Sequence, residues 1–142
     1  MSWLPKRCVV VPFDFSDESI RAIDTALQMI ETPAQVHVIH VLPELQANEP
    51  GVVWHTIDDE GRKRHAKNAV DVRLSDAKYQ GIDVVVDVGD AGHEIADFAE
   101  NIGAELIVMP SHGRRGLKRL LLGSVADRVV RLSHCPVLVL RG

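Results

Sequence analysis

The sequence is short of cysteine and of aromatic rings, and it has no long apolar run. Its 142 residues hold two cysteines, Cys8 and Cys135. Neither sits in a C-x-x-C pair or at metal-ligand spacing, which leaves no disulfide framework, no thioredoxin-type centre and no zinc site. Two buried thiols packed as small apolar groups are expected instead. No apolar stretch approaches the roughly 18–20 residues of a membrane span, and residues 1–7 lack the basic-then-apolar order of a signal peptide, so no membrane partner and a cytoplasmic location are expected. A strong charge of one sign is missing too. The formal net charge is -4, with acids and bases interspersed, which argues against a nucleic-acid footprint.

The length suits one domain, 1–142, around one core. Apolar runs at 7–12, 36–42, 105–109 and 137–140 read as strands, 7–12 covered on both faces, 105–109 in the sheet centre and 137–140 at an edge. Residues 82–88 alternate, with Asp83 and Asp87 on one side, as a strand at a sheet edge would. Between the runs lie helical stripes. Ser16 caps a helix carrying Ile20, Ile23, Leu27 and Ile30, closed before Pro33. A helix over 57–80 buries Ala66, Ala69, Val70, Leu74 and Ala77 and stops at Gly81. Turn 89–92 precedes a helix with Ile95, Phe98, Ala99 and Ile102, and a last helix carries Val125, Val129 and Leu132. Residues 43–56 read as a polar loop. Five strands alternating with four helices predict an α/β fold: a mostly parallel sheet with helices on both faces, and ligands beyond the strand ends where the winding reverses.

The chemistry concentrates after the fourth strand. Gly113 and Gly116 permit close backbone approach, and Gly123-Ser124 opens a helix whose free N–H groups and dipole favour an anion. Arg114, Arg115, Lys118 and Arg119 lie nearby, one or two of them within reach of a phosphate. The bland alternative is a tight turn followed by a helix cap.

The segment Met109-Pro110-Ser111-His112-Gly113 with Gly123-Ser124, the stretch Val9-Val10-Val11-Pro12-Phe13-Asp14, and the closing Cys135-Pro136-Val137-Leu138-Val139 together resemble the universal stress protein family, over essentially the whole chain. The resemblance implies a three-layer α/β/α sandwich, a five-stranded parallel sheet of order 3-2-1-4-5 and an adenine nucleotide alpha hydrolase-like architecture. It also implies an ATP-binding motif, G-2x-G-9x-G-[S/T], in which Pro110 replaces the first glycine and so removes an N–H. Carried over, Gly113, Gly123, Ser124 and Val125 line the phosphates, Met109 and Val41 border the adenine, and Pro12 and Asp14 flank the nucleoside. Mg²⁺ is held by the phosphates and not by a protein metal site. A homodimer through the last strand, Val137–Leu140, is implied as well, which would cover an apolar edge.

Other chemistries fit less well. Neither a Walker A loop nor a G-x-G-x-x-G follows the first strand. An ATP-pyrophosphatase loop and the acidic pair of a receiver domain are also missing there. His37 and His40 point to opposite faces of a strand, so they do not form a metal pair. Ser111-His112 has no identifiable orienting acid, so no catalytic residue is assigned and nucleotide binding is favoured over turnover. The expected function is a dimeric, ATP-binding stress-response module reporting to a signalling partner. The alternative is a nucleotide-free interaction module in which Pro110 marks a site that no longer holds ATP.

Overall fold

The computed structural model describes residues 2–45, 58–112 and 121–141. Gly113, Gly116 and the neighbouring basic residues, together with most of the polar loop 43–56, lie outside the described residues.

Five strands form one sheet: β1 (Val9–Pro12), β2 (Val36–Leu42), β3 (Asp83–Val88), β4 (Leu106–Pro110) and β5 (Val137–Leu140). Their order is β3-β2-β1-β4-β5 and every pairing is parallel. The order implied by the family resemblance is therefore the one observed.

β1 is four residues long and wholly buried. Its side chains alternate between two cores, because successive residues of a strand face opposite sides of the sheet. Val9 and Val11 join Ala22, Ile23, Val70 and Leu74 on one face. Val10 joins Ile95, Ala99, Ala126 and Val129 on the other. The first face is covered by α1 (Asp17–Leu27) and α2 (Asp59–Arg73), the second by α3 (Ala91–Asn101) and α4 (Ser124–Leu132), giving the three expected layers. No helix among the described residues is long and apolar enough to cross a membrane.

Three helix boundaries differ from expectation. α1 is capped by Ser16, whose Oγ accepts from Ser19 N at 3.1 Å, but it ends at Leu27. The N–H groups of Gln28 and Met29 bond to carbonyls three residues back and tighten the last turn. Ile30 then leaves the helix and bridges to Lys6. α2 ends at Arg73, well short of Gly81. Asp76 accepts from Lys78 N at 3.1 Å and starts a separate 3-10 turn, Ala77–Tyr79, a competition with the helix that short acidic side chains favour. Ala77, beyond the helix end, is exposed, as is Ala69 within α2, and Tyr79 is buried. α3 begins inside the expected turn, because Asp90 accepts from His93 N at 3.0 Å and caps it.

β3 and β5 are the two edges. Both cysteines are free and only half-buried, not fully buried as expected.

Candidate functional site

β1 pairs with β2 on one side and with β4 on the other, so the winding reverses between β1 and β4, where ligands of such sheets sit. A cleft of about 490 Å³ opens at the carboxyl ends of these strands. It brings together Pro12, Asp14, Val41, Met109, Pro110, Gly123, Ser124 and Val125, which are all the expected site residues except Gly113. The sequence reading missed Phe13, Ser19, His40, Ala91, Ile95 and Ala126 as lining groups. His40 adjoins Val41 in β2, but the helical residues reach the cleft only through tertiary packing.

The chain turns sharply after β1. Phe13 N donates to Ile39 O at 2.8 Å, and Phe15 then adopts φ 67°, a left-handed conformation costly for a residue with a Cβ. Its ring is held against Phe13 at 4.9 Å and edge-on to His40 at 5.0 Å, centroid to centroid. Asp14 Oδ1 accepts from Ser16 N at 3.0 Å and also from Ser16 Oγ. Asp14 thus shapes the lead into α1 while lining the cleft.

Pro110 is the last residue of β4, an interior strand, where proline is usually excluded because it cannot donate to the ladder. The register explains why it is tolerated. Ser111 N donates to Leu140 O at 2.8 Å toward β5, so the nitrogen of Pro110 faces the other side, toward β1. Phe13 N donates toward β2, so the nitrogen of Pro12 faces β4 in turn. The β1–β4 register runs through Val9–Leu106 and Val10–Ile107 only. Beyond it, the two prolines turn their donor-less nitrogens toward the same gap, which becomes the floor of the cleft.

The N-terminus of α4 forms another wall. Ser16, Asp58 and Asp90 each cap their helix with a side chain, whereas Gly123 gives α4 no side-chain cap bond. The N–H of Gly123 donates to Ser111 O at 2.7 Å and pins the helix to the end of β4. The unbonded donors expected at a helix start therefore belong to Ser124, Val125 and Ala126. Ser111 Oγ lies 3.2 Å from Nδ1 of His112, so these adjacent residues do meet; His112 Nε2 is buried without a hydrogen-bond partner among the described residues.

Several ionisable side chains, most of them outside the cleft lining, are held by specific partners. The Arg128 guanidinium, 2.9 Å from Asp90, holds that carboxyl below its ordinary value, helped by the backbone N–H of His93. Burial, then a hydrogen bond with Asp87, pushes Glu94 above the ordinary carboxyl value. Burial likewise raises the Cys8 thiol. His37 pairs with Asp83 at 2.8 Å and His40 with the Phe13 carbonyl. Among the described residues no three His, Cys, Asp or Glu side chains group as metal ligands.

Sheet order, layers and cleft define the class: a doubly wound parallel α/β protein with a ligand-sized cleft at its switch point. The family follows from comparison with known proteins. The model of the Universal stress protein family matches residues 6–141. Universal stress protein MJ0531 of Methanocaldococcus jannaschii is 37% identical over 139 residues, 94% of this chain and 81% of that protein. Universal stress protein YxiE of Bacillus subtilis is 35% identical over 146 residues, 94% and 97% of the two chains. The solved structure of MJ0577, also from Methanocaldococcus jannaschii, superposes with a TM-score of 0.77 at 28% identity and covers 96% of each chain. The chain belongs to the universal stress protein family.

Proposed function

We propose that the cleft binds an adenine nucleotide, ATP carrying Mg²⁺ on its phosphates, and that the protein is a cytoplasmic, dimeric stress-response module whose nucleotide state is read by a signalling partner. The observation that carries this reading is the meeting, in one cleft, of an apolar slot and an uncapped helix start. Pro12, Val41 and Met109 offer the slot for a base, and Ser124 to Ala126 offer helix N–H groups to phosphate. The volume fits a small-molecule site. Binding without turnover is the better match, since among the described residues no carboxylate orients His112.

The dimer would form through β5, an edge strand whose four residues are all apolar and half-buried. One observation favours the nucleotide-free alternative: Pro110 removes a backbone donor from the cleft floor. Calorimetric titration of Mg-ATP separates the two readings, run beside a Gly123→Val variant that puts a branched side chain on the phosphate wall. A dissociation constant of about 1 μM, equivalent to about -8 kcal/mol and lost in the variant, supports the nucleotide reading. No heat up to about 1 mM ATP, with no nucleotide carried through purification, supports the interaction module.

A further inference from the structure

We infer that Gly92 is a positioning residue for the phosphate end of the cleft, acting through Arg128; this rests on the nucleotide reading above. Gly92 lies in the first turn of α3 and is buried. A Cβ built there would meet Arg128 Cβ at 2.6 Å, Cγ at 2.6 Å and Cδ at 2.8 Å. Ordinary carbon contacts are about 3.5–4.0 Å. The nearest atom belongs to the root of the Arg128 side chain and cannot swing aside, so a methyl group at position 92 would push α4 away from α3 by roughly 1 Å.

That displacement would be felt at the cleft. Ser124 and Arg128 are four residues apart in α4, so they lie one above the other on the same helix face. Ala91 and Ile95 of α3 line the cleft opposite Ser124, Val125 and Ala126 of α4. The close approach at Gly92 therefore sets the distance between the uncapped start of α4 and the wall that α3 supplies. Arg128 also ties the two helices by charge: its Nη1 is 2.9 Å from Asp90 Oδ1, while Asp90 Oδ2 caps α3. Both partners of that pair are about half exposed, so the pair orients more than it stabilises. Contact at Gly92 supplies the approach and Asp90 supplies the direction.

The side chain that Gly92 meets, Arg128, is not among the residues that line the apolar slot at Pro12 and Val41. A change at Gly92 should therefore weaken ligands in proportion to what they draw from the phosphate wall. The test is parallel titration of Mg-ATP and of adenosine into the wild-type protein, Gly92→Ala and Arg128→Ala. The inference predicts that Gly92→Ala weakens Mg-ATP at least about tenfold while adenosine stays within about threefold, since misplacement by about 1 Å is costly where several contacts must coincide. Equal loss for both ligands, as general destabilisation would give, overturns it, and so does no loss for either. If Gly92→Ala does not fold, Arg128→Ala decides: Mg-ATP weakened about threefold with adenosine unchanged supports the inference, and an unchanged ratio overturns it. A wild-type protein that binds neither ligand overturns the nucleotide reading and this inference with it. That outcome is distinct from one in which the wild type and the variants bind alike.

Discussion

Nδ1 of His40 lies 2.7 Å from the carbonyl oxygen of Phe13. A carbonyl only accepts, so Nδ1 carries the proton, and an imidazole of β2 holds the turn that follows β1. That turn carries Asp14 and the left-handed Phe15. His40→Phe keeps a ring beside Phe15 and deletes the donor. Loss of about 1 kcal/mol in stability is expected, read by urea denaturation, with weaker Mg-ATP binding as the Asp14 turn loosens.

Pro110 makes the opposite prediction, a gain. Its nitrogen faces the gap toward β1, so Pro110→Ala restores an N–H at the cleft floor without touching the β5 ladder. Mg-ATP should bind about tenfold more tightly, the worth of one hydrogen bond to a charged group. Pro110→Val separates the donor from the space the ring vacates. Unchanged affinity in both would mean that no acceptor atom of the ligand reaches the strand end.

The edge strand β5 permits a selective cut. Leu140 faces β4, since Ser111 N donates to its carbonyl, so the N–H of Val139 points away from the sheet. Val139→Pro removes that outward donor and leaves the β4–β5 bonds in place. Sedimentation velocity should show the wild type as a dimer and the variant as a monomer; a variant that remains dimeric would move the interface elsewhere.

Glu94 predicts a pH dependence. Burial and the Asp87 contact raise its folded value above that of the unfolded chain. Its contribution to stability is therefore full below the ordinary carboxyl value of about 4.3 and is lost as pH rises through the raised folded value. Glu94→Gln is neutral throughout, so the variant should melt higher than the wild type at neutral pH, and the difference should close below about pH 4. Asp90, lowered by Arg128, acts in the opposite sense in both proteins and cancels from the comparison.

The sheet was legible in the sequence because its signal is local. Runs such as Val9–Val11 and Leu106–Met109 are buried on both faces and read as continuous apolar stretches. Helix ends were less legible. Asp76 and Asp90 decide the boundaries of α2 and α3 through one short hydrogen bond each, and an acidic residue near a helix looks the same in sequence whether it caps, breaks or merely faces solvent. The cleft divided along the same line. Pro12, Val41 and Met109 came from the family resemblance, and they lie at strand ends. Ala91 and Ile95 reach the cleft from α3, which packs against α4 where Gly92 meets Arg128, a contact between residues more than thirty positions apart in the chain. The commitment of the Gly123 N–H to Ser111 O is a loop-closing bond of the same kind.

Occupancy of the β1/β4 switch-point cleft by adenine nucleotide can be read residue by residue from amide chemical shifts of the ¹⁵N-labelled protein during titration with Mg-ATP. Saturable shifts are expected at Ser124, Val125 and Ala126 together with Val41 and Asp14, from the two ends of one ligand. Saturable shifts confined to another face, or none at millimolar nucleotide, would contradict it.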